Sequence, residues 1–92
     1  MLSLDEIKAF LRVDVSDDDR YINLLILLAN EMCQNYMRKD IPDECPESIR
    51  QACLIIIGHF YENRGESLTG NGNEPIPQVV YRLLDPYRQE GF

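Results

Sequence analysis

DDDRYINLLILLANEMCQNYM, residues 17–37, is the stretch that decides the fold. Its apolar residues recur at helical rather than alternating spacing: Ile22, Leu25, Leu28, Ala29, Met32, Cys33 and Tyr36 fall on one broad face. Ser16 with Asp17, Asp18 and Asp19 reads as the start, because carboxylates in a first turn suit the positive end of a helix dipole. A helix running from there to about Met37 spans roughly 30 Å. Leu24 and Leu27 do not fit the buried face. They lie toward the side that carries Arg20, Glu31 and Arg38.

Working outward, KDIPDECPE (39–47) interrupts the pattern with two prolines, and Pro46 can open the next helix. That helix, to about Arg64, is apolar at Ile49, Ala52, Cys53, Ile56, Ile57 and Phe60. Leu54 and Ile55 widen the stripe beyond one face. Near the N-terminus, Ser3 and Glu6 have capping-box spacing, Leu2 can staple onto Ile7, and Leu4, Ile7 and Leu11 share a face. GESLTGNGNEP (65–75) has three glycines and no periodicity, which predicts a flexible loop. IPQVVYRLL predicts a short helix begun by Pro77 and stopped near Asp85, the residue before Pro86. Residues 86–92 read as a tail with no later element to hold it. The expectation is an all-α domain over residues 1–92: a small bundle of about four helices, with two long central antiparallel helices and a short C-terminal one.

Composition narrows the function. The chain of 92 residues is 45% hydrophobic, a globular composition, and carries a net charge of −7. A surface that grips phosphates would show a basic footprint instead. Three cysteines (Cys33, Cys45, Cys53) without paired spacing do not suggest a disulfide framework. The N-terminus has acids where a signal peptide would carry positive charge, and no apolar run approaches about 18 residues. Neither cleaved export nor a membrane span is expected, and synthesis in a reducing cytoplasm is.

The residue types of chemical sites do not converge. Cys53 and His59 stand about 120° apart on one helix, so they cannot share a metal ion without breaking it. DVSDDD (14–19) has Asp19 and Leu25 where a calcium loop needs glycine and glutamate. No serine is placed to complete a triad with His59, and GNGNEP lacks the lysine and strand of a phosphate loop. No catalytic residue, metal or cofactor is expected. HFYENRG (59–65) reads as a helix terminus, with Gly65 as C′ residue and Tyr61 as a candidate partner contact.

Four ordered stretches resemble the head–tail connector (adaptor) proteins of long-tailed phages and prophages, a family also associated with DNA packaging. They are LSLDEIKAFLRVD (2–14), the helix of residues 17–37, IRQACLIIIGHFYENRG (49–65) and IPQVVYRLLDPYR (76–88). The resemblance implies a structural virion protein, not an enzyme. It implies a homo-oligomeric ring of about twelve copies at the head vertex, between the portal and a neck or tail-completion protein. Such a ring extends the DNA channel, and DNA passes through it without specific binding. Leu24, Leu27, Leu54, Ile55 and Tyr61 are then the candidate subunit contacts. Tyr87, Arg88 and Phe92 are the candidate portal or neck contacts. The other reading is a small helical phage accessory or regulatory protein that binds a protein partner as a monomer or dimer.

Overall fold

The structure is a computed structural model that describes residues 2–63 and 76–89. Four α-helices are present among the described residues: α1 (Leu4–Leu11), α2 (Asp19–Met37), α3 (Glu47–Glu62) and α4 (Gln78–Leu84). A 3-10 turn, Asp85–Tyr87, follows α4 directly. The described residues contain no strand. The expected small all-α bundle is what the chain forms.

α1 begins as its sequence demands. The Glu6 N–H donates to the Ser3 hydroxyl and the Ser3 N–H donates to Glu6 Oε1, both at 3.2 Å. A reciprocal cap of this kind satisfies two backbone donors that a helix start leaves orphaned. Leu2 and Ile7, which flank the cap, are both buried in the core. Glu6 also accepts from Arg50 of α3 at 2.6 Å. That bond, followed by the Ser3 N–H, holds the Glu6 carboxyl below its ordinary range.

α1 ends on Arg12 in the left-handed region, φ 61°, whose N–H bonds back to Ala9 and Lys8 carbonyls. A side chain is strained there, and glycine is the residue that adopts this cap without a Cβ penalty. Arg12→Gly should therefore raise stability by about 0.5–1 kcal/mol. A higher denaturant midpoint at unchanged slope would register this.

α2 starts later than the acidic run suggested. Its first residue is Asp19, with Asp18 as cap residue and no side-chain capping bond. The reason lies in two tertiary contacts. Lys8 Nζ pairs with Asp19 at 2.8 Å, and the Tyr61 hydroxyl donates to Asp18 Oδ2 at 2.7 Å. Ser16 lies upstream in the turn, accepting the Asp19 N–H through its carbonyl. The two prolines assigned to helix starts, Pro46 and Pro77, each stand one residue before their helix in extended conformation, with ψ of 148° and 137°.

α2 and α3 pack antiparallel, as expected. Tyr21 near the start of α2 donates to the Phe60 carbonyl near the end of α3, while Cys33 and Cys53 bring their sulfurs to 3.5 Å farther along. Between them lies one core: Ile22, Leu25, Ile26, Ala29, Cys33 and Met37 from α2 meet Ile49, Ala52, Cys53, Ile56 and Ile57 from α3. Ile7 of α1 and Val80 and Leu84 of α4 close it at the sides.

One residue of the expected α2 face is corrected. Leu28 is 36% exposed, whereas Ile26, left out of that face, is 6% exposed. Ile26 lies about 20° from Cys33 around the helix and so faces α3; Leu28 lies about 140° away.

The segment after α4 is held, contrary to expectation. The Gln89 N–H donates to the Met37 carbonyl at 2.7 Å, which satisfies an acceptor at the C-terminal end of α2. Tyr87 packs on the core, and the Arg88 guanidinium sits 4.8 Å above the Tyr36 ring. The Tyr36 hydroxyl donates to Asp85, and that bond lifts the phenol above its ordinary range.

Candidate interaction surfaces

Two side chains stand out on the side of α2 that faces away from α3. Leu24 is 57% exposed and Leu27 is 62% exposed, with exposed Arg20 one turn before Leu24. Both leucines emerge from a helix whose opposite face is wholly buried, so their exposure is a property of the fold and not of a frayed end. Isolated surface leucines are ordinary, but two adjacent ones with Leu28 beside them form a patch.

The other candidate contacts lie elsewhere. Leu54 and Ile55 are half-buried and rest partly on the core. Ile55 also lines an open groove of about 370 Å³ with Phe10 of α1, Gly58, His59 and Glu62 of α3, and Pro77 before α4. Phe10 is 46% exposed at the groove wall. Gly58 forms its floor: a methyl placed there would meet the Phe10 ring at 3.4 Å. Phe10 was not among the expected contacts, since its place beside α3 depends on how α1 docks.

Tyr61 is half-buried and engaged within the chain, through its bond to Asp18 and a tilted ring contact with Tyr21 at 6.4 Å. Tyr87 is likewise half-buried, and Arg88 is exposed but stacked on Tyr36. Phe92, the loop 65–75 and Gly65 lie outside the described residues.

The helix end at HFYENRG is a terminus built on local bonds. The Asn63 backbone N–H and side-chain Nδ2 both donate to the His59 carbonyl, at 3.1 and 2.9 Å. His59 stands edge-on to Phe60 at 5.5 Å between centroids. These donors satisfy one of the carbonyls that a helix C-terminus leaves open.

Cys45 and Cys53, with Asn30 and Arg50, line a smaller cleft of about 180 Å³ under the link between α2 and α3. Cys53 is buried, and its contact with Cys33 together with burial pushes its thiol well up; burial pushes Cys45 up as well. Among the described residues no group of three or more His, Cys, Asp or Glu side chains is placed to hold a metal ion. No helix among them is long and apolar enough to cross a membrane.

A family model described as phage gp6-like head-tail connector protein matches residues 1–88. No curated protein matches the chain, and no solved structure does.

Proposed function

The chain belongs to the phage gp6-like head-tail connector family, and from that premise we propose that it works as one subunit of a ring between portal and neck. The family makes it a structural phage protein of the head–tail junction rather than an enzyme, and one that meets other head and tail proteins. The finer reading is ours. About twelve copies close into a ring beneath the portal, extend the DNA channel, and dock a neck or tail-completion protein. Before assembly the subunits wait in the host cytoplasm.

The observation that carries this reading is the pair of leucines on α2, each more than half exposed on the face opposite the core. A subunit that must join two neighbours needs apolar surface in excess of its own core, and Leu24 and Leu27 supply it. Ile55 in the groove and the flank of Leu54 supply the rest. Tyr87, Arg88 and Phe92, at the C-terminal end, are the residues proposed to reach the portal. The charge of −7 suits a wall along which DNA slides without being gripped.

Two measurements test the reading. Mass determination over a wide concentration range, with imaging of the protein on portal-bearing heads, should show ring-sized assemblies. A chain that remains monomeric or dimeric even on heads would be an accessory protein instead. Duplex DNA at physiological salt should bind negligibly, and tight salt-sensitive binding would contradict the channel-wall role.

A further inference from the structure

We propose that the ring contact joins the Arg20–Leu24–Leu27 stripe of one copy to the Phe10–Ile55–Gly58–Glu62 groove of the next. The proposal rests on the ring reading above and adds to it which surfaces meet and in what register.

The first support is placement. The Cys33–Cys53 contact marks the sides on which α2 and α3 face each other. Leu24 lies nine residues before Cys33 and Glu62 nine after Cys53, about half a turn around their helices in each case. The leucine stripe and the groove therefore look out from opposite sides of the helix pair. A heterologous, head-to-tail contact needs two different patches of this kind, whereas a two-fold dimer would use one patch twice.

The second support is height. Tyr21 bonds to Phe60 and Tyr61 to Asp18 at one end of the pair, and Cys33 meets Cys53 farther along. In that register Arg20 stands about level with Glu62, Leu24 with Gly58, and Leu27 with Ile55. Rotation about a ring axis parallel to the bundle leaves these heights unchanged. All three pairs can then meet in one docking step.

Chemistry is the third. Leu24 would lie level with Gly58 and pack against the exposed face of the Phe10 ring, which sits close over that glycine because it has no side chain. Leu27 would lie against Ile55. Arg20 would face Glu62; both are exposed, and neither belongs to an ion pair among the described residues. The occupant of the groove is thus a second copy, selected by a charge at one end and an apolar pair behind it.

Charge reversal separates this pairing from the ring itself. Arg20→Glu and Glu62→Arg each set like charges against one another and should weaken self-association about tenfold or more. Mixed in equal amounts, the two variants present opposite charges at every joint and should assemble as the unaltered protein does; the double variant should do so alone. Both sites are exposed, so the thermal melts should barely move. Gly58→Ala adds a methyl to the groove floor while favouring the helix, and should weaken association without lowering the melting temperature. If the unaltered protein assembles and the single reversals assemble equally well, the pairing is wrong and the ring stands. If the unaltered protein stays monomeric at every concentration and on heads, the ring reading falls and the pairing with it.

Discussion

Leu24→Glu combined with Leu27→Glu should give a protein that melts close to the unaltered chain yet no longer self-associates. Both leucines keep more than half their surface in water, so the monomer loses little by exchanging them. Glutamate has nearly the helix propensity of leucine, and a carboxylate at position 24 would stand one turn after Arg20, a favourable charge spacing. The expected change in monomer stability is within about 0.5 kcal/mol per site. Association is another matter. Covering the exposed part of two leucines is worth roughly 2–4 kcal/mol at an interface. Two carboxylates in their place would also have to be desolvated. The joint effect should exceed about two orders of magnitude in the association constant. Leu25→Glu is the matched comparison: its side chain is 5% exposed and faces α3, so this single change should unfold the domain. Sedimentation and circular dichroism on the three proteins check both halves. Unfolding of the double variant would make Leu24 and Leu27 part of the core and remove them from any interface.

How much of this was legible in the sequence varies by element, and the reasons are physical. Ser3 and Glu6 announce α1 because a capping box is satisfied within four residues of chain. The antiparallel α2–α3 pair was legible because its apolar stripes are long. The phase of α2 was less so. In LLILLA every position from 24 to 29 is apolar, so periodicity alone could not rank Ile26 against Leu28. What ranks them is the approach of α3, visible only where Cys33 meets Cys53. The same holds for the start of α2. Ser16, Asp17 and Asp18 are all competent caps, and Lys8 and Tyr61, distant in sequence, decide among them. For the candidate surfaces, Leu24 and Leu27 could be singled out as misfits to a stripe. Phe10 could not, since nothing local tells an α1 side chain that Gly58 will lie beneath it. The hold on the C-terminal segment is not legible in sequence: the Gln89–Met37 bond joins two backbone groups and leaves no trace in side-chain pattern, and Tyr87 and Arg88 find the core and Tyr36 only once α2 and α4 have packed.

Removing residues 86–92 should therefore destabilise the protein, and removing only 90–92 should not. The longer truncation takes away Tyr87 from the edge of the core, the Arg88 guanidinium from the face of Tyr36, and the Gln89 N–H from the Met37 carbonyl. Half-burial of a tyrosine contributes roughly 1–2 kcal/mol. The cation over the half-buried Tyr36 ring adds about 0.5–1 kcal/mol. The backbone bond adds about 1 kcal/mol, and Met37 would be left with a carbonyl to satisfy with water. The loss, about 2–4 kcal/mol, is a large part of what a domain of this size has in total. It should lower the melting temperature by roughly 10 °C or more. Truncation after Gln89 keeps all three contacts and should melt as the full chain does. That shorter variant probes the proposed portal contact, because it removes Phe92 while keeping Tyr87 and Arg88, which already serve the fold. Aromatic residues are well suited to anchor in a pocket of a partner. The variant ending at Gln89 should self-associate normally and attach poorly to packed heads. If it still joins heads to tails, Phe92 is not the anchor. Tyr87 and Arg88 would then have to be tested by Arg88→Ala, which leaves Tyr87 on the core and should cost the fold no more than about 1 kcal/mol.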